Sequence, residues 1–303
     1  MYELITVIGP TASGKTTVAC ALAARLQSAV ISGDSRQVYR GMDIGTGKDL
    51  NEYIIDNQTI PYYLIDICDA GTRYNIFQYQ HDFHRVFSDL KNKNIVPVLC
   101  GGSGLYIEAV LRGYHLPDVP ENAALRKSLE HKSLEELTQM LSTYRNLHNS
   151  TDVDSAQRAV RAIEIAEFSQ RNNLQFNEFQ PINSLIIGID IDRELRRSKI
   201  TNRLKQRLEQ GMIDEIKNLL NKGIQPSDLM YYGLEYKYVT QFVTGEISYS
   251  EMFAQLEIAI HQFAKRQMTW FRGMERRGLK IHWINTQIPV NEKIDEIIHL
   301  LKI

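Results

Sequence analysis

The sequence predicts an α/β fold: a parallel β-sheet flanked by helices and carrying a helical insertion domain. Three observations carry that prediction. Short apolar runs alternate with longer stretches of helical period, as they do when crossover helices cover both faces of a buried parallel sheet. The first run opens directly onto a glycine-rich loop and then a helix. Residues from about 114 to 182 hold no convincing strand, although strands are expected on both sides of them. The chain has 303 residues, 43% of them hydrophobic and 23% charged, which suffices for one large domain or two smaller ones with a real core.

The expected strands are Leu4–Ile8, Ala29–Ser32, Tyr62–Ile67, Ile95–Cys100, Ser184–Ile191 and Ile281–Ile284, with a helix at Thr16–Leu26 after the first. The core is therefore expected to comprise residues 1–113 and 183–303. The insertion, 114–182, opens with Leu116-Pro117-Asp118-Val119-Pro120 and reads as helical at Leu125–Leu129, Leu134–Tyr144 and Ala156–Ser169. Asp192–Lys222 reads as one long helix or two, and it repeats basic residues: Arg193, Arg196, Arg197, Lys199, Arg203, Lys205 and Arg207. Val290–Ile303 has the pattern of a plain amphipathic helix.

The strongest motif is Gly9, Pro10, Thr11, Ala12, Ser13, Gly14, Lys15 and Thr16. It fits G-x-x-x-x-G-K-[ST] between a strand and a helix, the context that makes the sheet P-loop NTPase-like. Glycines let the loop wrap an anion, so that its N–H groups and the helix N-terminus face phosphates. Lys15 adds a mobile positive charge, and Thr16 a hydroxyl for Mg²⁺. Such a loop specifies a cradle for a di- or triphosphate, nucleotides such as ATP included, and it does not specify hydrolysis.

After the second strand comes Ser32-Gly33-Asp34-Ser35-Arg36-Gln37-Val38-Tyr39. Carboxyl ends of neighbouring strands converge on the ligand crevice of an α/β sheet, so Asp34 is expected beside the phosphate loop. A carboxylate there can take a proton from a substrate nucleophile; helix capping or association with Mg²⁺ are the other readings. Gly41–Lys48 is glycine-rich and reads as a mobile segment or a structural loop. Gly101-Gly102-Ser103-Gly104 forms another turn at the same sheet edge, where Ser103 either touches a diphosphate oxygen or caps a helix.

The net charge of −1 gives no general affinity for nucleic acid, so any such binding rests on local basic patches. Cys20, Cys68 and Cys100 lie among apolar residues and are expected as buried free thiols. The eight histidines show no ligand spacing. No run approaches the ~18 apolar residues of a membrane span, and no signal-peptide pattern opens the chain. A cytoplasmic monomer without membrane contact is expected.

Together, Gly9–Thr16, Ile31–Tyr39, Gly41–Thr46, Gly101–Tyr106, Arg158–Glu164 and Ala264–Arg272 (Ala-Lys-Arg-Gln-Met-Thr-Trp-Phe-Arg) resemble the bacterial tRNA dimethylallyltransferase (isopentenyltransferase) family. The resemblance implies transfer of a dimethylallyl group from its diphosphate to the exocyclic amine of an adenine adjacent to the tRNA anticodon. It implies Asp34 as general base, Lys15 as diphosphate ligand and Ser103 as a contact near the reacting end of the donor. Its tRNA-contacting positions fall on Asp34, Ser35, Arg36 and Gln37, on Arg126, and on Gln157, Arg158, Ala159, Val160 and Arg161. The 114–182 insertion matches the family's tRNA-binding domain, and Mg²⁺ is the implied cofactor.

Three stretches depart from the family pattern. Tyr62-Tyr63 stand where two histidines are usual, and Gly47-Lys48-Asp49 where Ala-Lys-Pro is common. Met230 stands where the family has an arginine implied in holding the diphosphate. The residues alone leave three other readings: a P-loop small-molecule kinase, an adenylate isopentenyltransferase and a weakly active RNA-binding paralogue. Arg158 and Arg161, three apart on a helix, can face the same way and read either as meeting anticodon-loop phosphates with Arg126 or as a solvated helix face. Lys265, Arg266 and Arg272 with Trp270 and Phe271 read as an RNA surface or, for the aromatics, as core.

Overall fold

The computed structural model describes residues 2–144, 153–172 and 179–302. Two compact units emerge, Met1–Gly113 with Gln180–Ile303, and Tyr114–Phe179. The second unit thus ends three residues before the 182 read from sequence. Residues 145–152 and 173–178 of the expected insertion lie outside the described residues.

The first unit is built on ten strands: β1 (Leu4–Ile8), β2 (Val30–Ser32), β3 (Tyr39–Arg40), β4 (Ile54–Ile55), β5 (Gln58–Thr59), β6 (Tyr62–Tyr63), β7 (Cys68–Asp69), β8 (Val98–Gly101), β9 (Ser184–Asp190) and β10 (Ile281–Asn285). Six form the main sheet in the order β10-β9-β1-β8-β2-β6, and every pairing in it is parallel. Two short ribbons, β3–β7 and β4–β5, carried no readable pattern. The expected strand over Tyr62–Ile67 is cut to two residues because Leu64 and Asp66 adopt left-handed backbone, φ 61° and 56°. The expected Ile95–Cys100 strand begins only at Val98, after Pro97.

Successive residues of a strand point to opposite faces, and the sheet is apolar on both. Leu4 and Ile8 of β1 join Ile31, Leu99 and Ile186 in one core. Ile5 and Val7 join Val30, Val98, Leu185 and Ile187 in the other. The first core packs against α2 (Ile76–Asn92), α3 (Gly104–Arg112) and the 28-residue α11 (Tyr249–Arg276) through Phe83, Val110 and Phe271. The second packs against α1 (Lys15–Arg25) and α12 (Val290–Leu301) through Val18, Leu22 and Ile297. Asp192–Lys222 resolves into two helices, α7 (Arg193–Glu209) and α8 (Met212–Asn221). After them come α9 (Pro226–Tyr231) and α10 (Leu234–Val243).

The second unit holds α4 (Ala123–Leu129), α5 (Leu134–Tyr144) and α6 (Ala156–Asn172) around its own core of Leu129, Leu137, Leu141, Ala159, Ala162 and Ile163. No helix among the described residues is long and apolar enough to cross a membrane.

Candidate active site at the carboxyl edge of the sheet

β1 runs in the middle of the sheet and feeds the glycine-rich loop directly into α1. Gly14 takes φ 79° at the helix N-cap, and no side chain caps the first turn. The N–H groups there are left to face the loop interior, the arrangement that attracts phosphate. Ser13 is buried, and its Oγ has no hydrogen-bond partner within the protein. Lys15 is half-buried beside this loop. Burial lowers its pKa, as does the Arg203 cation, whereas Cys100, Asp34 and Glu52 act in the opposite direction. Thr16 hydrogen-bonds the Cys100 thiol, which burial pushes up to about 12.

Asp34 and Ser103 follow β2 and β8, which are paired neighbours. The two chains cross so closely that a Cβ on Gly101 would overlap the backbone of Gly33. That approach lets the Ser35 N–H donate to Ser103 Oγ at 3.1 Å. Ser103 occupies the N-cap position of α3 yet caps none of its N–H groups. Asp34 Oδ1 accepts the Arg36 N–H at 2.9 Å, a local turn that fixes the carboxylate. Gln37 turns inward: its Oε1 accepts from Ser32 Oγ at 2.8 Å and its Nε2 donates to the Gly47 carbonyl at 3.0 Å.

Gln267 and the inward-facing pair Arg203 and Arg207 were not singled out for the site in the sequence. Gln267 on α11 is buried, accepts the Thr11 N–H at 2.8 Å and donates to the Gly102 carbonyl at 3.0 Å. It ties the phosphate loop to the Ser103 turn. Arg203 and Arg207 of α7 line a narrow cavity with Thr11 and Ala12. The Gly41–Lys48 segment, read as mobile or as a structural loop, is pinned. The Glu215 carboxylate accepts the N–H groups of Asp43, Ile44 and Gly45 at 2.8, 2.7 and 3.0 Å, and Tyr236 donates its hydroxyl to the same carboxylate at 2.6 Å. Buried Lys48 adds ion pairs to Asp43 and Asp66.

For the aromatics of Ala264–Arg272 the core reading holds. Phe271 is core, and half-buried Trp270 donates its indole N–H to Glu108 at 3.0 Å; Lys265, Arg266 and Arg272 are exposed. Met230 is half-buried on α9, while its neighbour Tyr231 is exposed with the guanidiniums of Arg36 and Arg73 5.1 and 3.9 Å from its ring centre. Cys68 is only half-buried, its thiol reaching the Val38 carbonyl.

In the second unit, Arg126 and Arg161 converge on one buried carboxylate. Arg126 makes a two-pronged contact with Glu164, 3.1 and 3.0 Å, and Arg161 pairs with the same group while donating to the Val119 carbonyl at 2.7 Å. Arg158 pairs instead with Asp154 one turn back, so Arg158 and Arg161 engage separate partners rather than one shared patch. Gln157 is exposed and Val160 half-buried, but Ala159 lies in the core of the unit and offers no side chain to a partner. Among the described residues no group of His, Cys, Asp or Glu forms a metal cluster.

A family model described as IPP transferase matches residues 37–274. A protein of Parabacteroides distasonis called tRNA dimethylallyltransferase 1 is 62% identical over 300 residues, covering 99% of this chain and 98% of the relative. One of Bacteroides fragilis called tRNA dimethylallyltransferase 2 is 61% identical with the same coverage. The crystal structure of a tRNA isopentenylpyrophosphate transferase from Bacillus halodurans superposes with a TM-score of 0.73 at 30% identity, covering all of this chain and 96% of that one. A eukaryotic dimethylallyltransferase acting on tRNA shares the fold, with a TM-score of 0.76 at 18% identity over 95% of this chain and 75% of its own.

Proposed function

The chain belongs to the IPP transferase family and is a tRNA prenyltransferase, and from that premise we propose how its own residues carry the reaction. The donor is dimethylallyl diphosphate, and the acceptor is the exocyclic amine of an adenine adjacent to the anticodon. The diphosphate lies in the loop from Gly9 to Thr16, contacted by its N–H groups and by Lys15. As the allylic C–O bond breaks, the electron pair leaves with the diphosphate, and these donors hold the negative charge that develops there. The adenine amine is a poor nucleophile, because its lone pair is delocalised into the ring. Asp34 takes its proton as the C–N bond forms. Ser103 lies near the reacting end of the donor, and the target base leaves its stack to reach it.

Mg²⁺ fits this site as it fits other phosphate loops. The Thr16 hydroxyl is a hard oxygen donor, and the diphosphate supplies the remaining oxygens, so no cluster of protein carboxylates is needed. When bound, the ion would neutralise charge on the leaving group. On the second unit, exposed Gln157 and Arg158 with half-buried Arg161 and Arg126 are the proposed tRNA contacts.

The observation that supports this reading best is the shared carboxyl edge of the sheet: Lys15, Ser103 and Asp34 follow β1, β8 and β2, three adjacent parallel strands. Asp34→Asn keeps the shape and removes the proton acceptor. Single-turnover transfer should fall on the order of 10²–10⁴-fold, while donor affinity changes much less. Near-normal transfer by Asp34→Asn would remove Asp34 from the role.

A further inference from the structure

Ser103 stands at the start of α3, and the carboxyl-terminal end of α11 grips that helix at two points one turn apart. The first is Gly104, which meets the Trp270 ring so closely that a Cβ there would come within 2.3 Å of the indole. The second is Glu108, fully buried and, at i+4, on the same face of α3. Its carboxylate accepts the Trp270 indole N–H at 3.0 Å and the Arg277 Nε–H at 2.7 Å, and the Arg112 guanidinium lies 3.3 Å away.

A carboxylate away from water is costly unless it is paired and hydrogen-bonded. The two guanidiniums supply the pairing charge. The indole N–H adds no charge, so its bond to Glu108 acts on direction: it sets how the ring lies over Gly104. The ring in turn fixes how closely the first turn of α3 approaches α11. Ser103 depends on that turn. It caps none of the α3 N–H groups and instead accepts the Ser35 N–H at 3.1 Å, next to the turn that carries Asp34. A shift at the start of α3 would change the separation of Ser103 from Asp34. Trp270 is half-buried among the exposed Lys265, Arg266 and Arg272, but its polar edge is turned inward to Glu108.

We propose that Trp270 is a positioning residue for prenyl transfer: anchored on Glu108, its ring fixes the start of α3 and thereby holds Ser103 at the reacting end of the donor. This role rests on Ser103 lying near that end, as in the proposed function. It gives the one tryptophan of Ala264–Arg272 a task on the donor side of the reaction, distinct from contact with RNA, and it explains why position 104 is glycine.

Single-turnover transfer at saturating dimethylallyl diphosphate, Mg²⁺ and tRNA tests this on the full chain, with tRNA affinity and its salt dependence measured in parallel and each variant kept below its melting temperature. Trp270→Phe keeps an aromatic ring and removes the N–H. It should lower transfer roughly three- to tenfold, the range for one hydrogen bond, and leave tRNA affinity and its salt slope unchanged. Gly104→Ala crowds the same contact from the other side and should lower transfer likewise; normal transfer by Gly104→Ala would overturn the role. In a Ser103→Ala background Trp270→Phe should add little, because residues that act through one another are not additive. Full additivity of the two substitutions would overturn it, and so would weakened tRNA binding with normal transfer in Trp270→Phe, which would make the indole an RNA contact. Ser103→Ala separates the two levels. If it lowers transfer and Trp270→Phe does not, Trp270 has no positioning role and the reading of Ser103 stands. If Ser103→Ala itself transfers normally, the reading of Ser103 is wrong and the role of Trp270 falls with it.

Discussion

Gln267 joins two loops that the chemistry needs at fixed separation. One amide side chain satisfies the Thr11 N–H and the Gly102 carbonyl at once, from a buried position. Replacing it with leucine keeps the bulk and strands both backbone groups, each at a cost of about 1–3 kcal/mol. Gln267→Leu should therefore lower the melting temperature and raise the KM for the donor several-fold, with a smaller change in kcat. An unaltered donor KM would mean the loops are held apart from Gln267. The residue was present in the Ala264–Arg272 motif, where its charged and aromatic neighbours drew the reading toward RNA. The signal that identifies it is periodicity: Ala264, Gln267, Phe271 and Met274 are all buried, at helical spacing. A glutamine on an apolar stripe needs hydrogen-bond partners inside the fold. The placement of Asp34, Lys15 and Ser103 at one sheet edge was legible because each follows a strand at a glycine turn. Arg203 and Arg207 were visible only as members of a basic run, since the inward-facing pair is set by how α7 packs.

At the scale of elements, the parallel strands and the phosphate-loop helix followed directly from apolar runs and glycine punctuation. The early end of the strand expected over Tyr62–Ile67 did not, because backbone at Leu64 and Asp66 is left-handed without a glycine to announce it. Helix α11 has a readable start, the capping box of Ser248 and Glu251. The structural-loop reading of Gly41–Lys48 was open, but the group that decides it was not legible, since the carboxylate lies more than 160 residues away in α8. In the helical unit, Glu164 of α6 does comparable work by joining α4 to α6. Burial pushes its pKa up, but Arg126, the Asn122 N–H and Arg161 together hold it below the ordinary carboxylate value. A carboxylate with a depressed folded-state pKa contributes stability that is complete above its unfolded pKa and lost as pH falls through the folded one. The helical unit should therefore lose structure on acidification below the usual carboxylate range, followed by circular dichroism. Glu164→Gln should start less stable, by roughly 1–3 kcal/mol for the weakened charged contacts, and show a flatter acid profile. An identical acid profile in both proteins would show that Glu164 titrates without consequence for the unit.

On the scale of the whole molecule, a chain with net charge −1 acts on a polyanion. Composition concealed this, because the cations are placed locally: Lys15, Arg203 and Arg207 by the phosphate loop, and Arg126, Arg158 and Arg161 in the helical unit. All three in the helical unit are paired internally in the protein alone, so phosphate contacts there would exchange one partner for another. In the proposed function one site binds an allylic diphosphate and delivers its hydrocarbon to a tRNA adenine. The most direct measurement incubates the protein and Mg²⁺ with dimethylallyl diphosphate labelled in its hydrocarbon, in separate reactions with tRNA, AMP and ATP. Label is expected only in tRNA, on the exocyclic amine of an adenine beside the anticodon, with one diphosphate released for each group transferred. Label appearing in AMP or ATP, or transfer of phosphate from ATP with none of the hydrocarbon reaching tRNA, would contradict it.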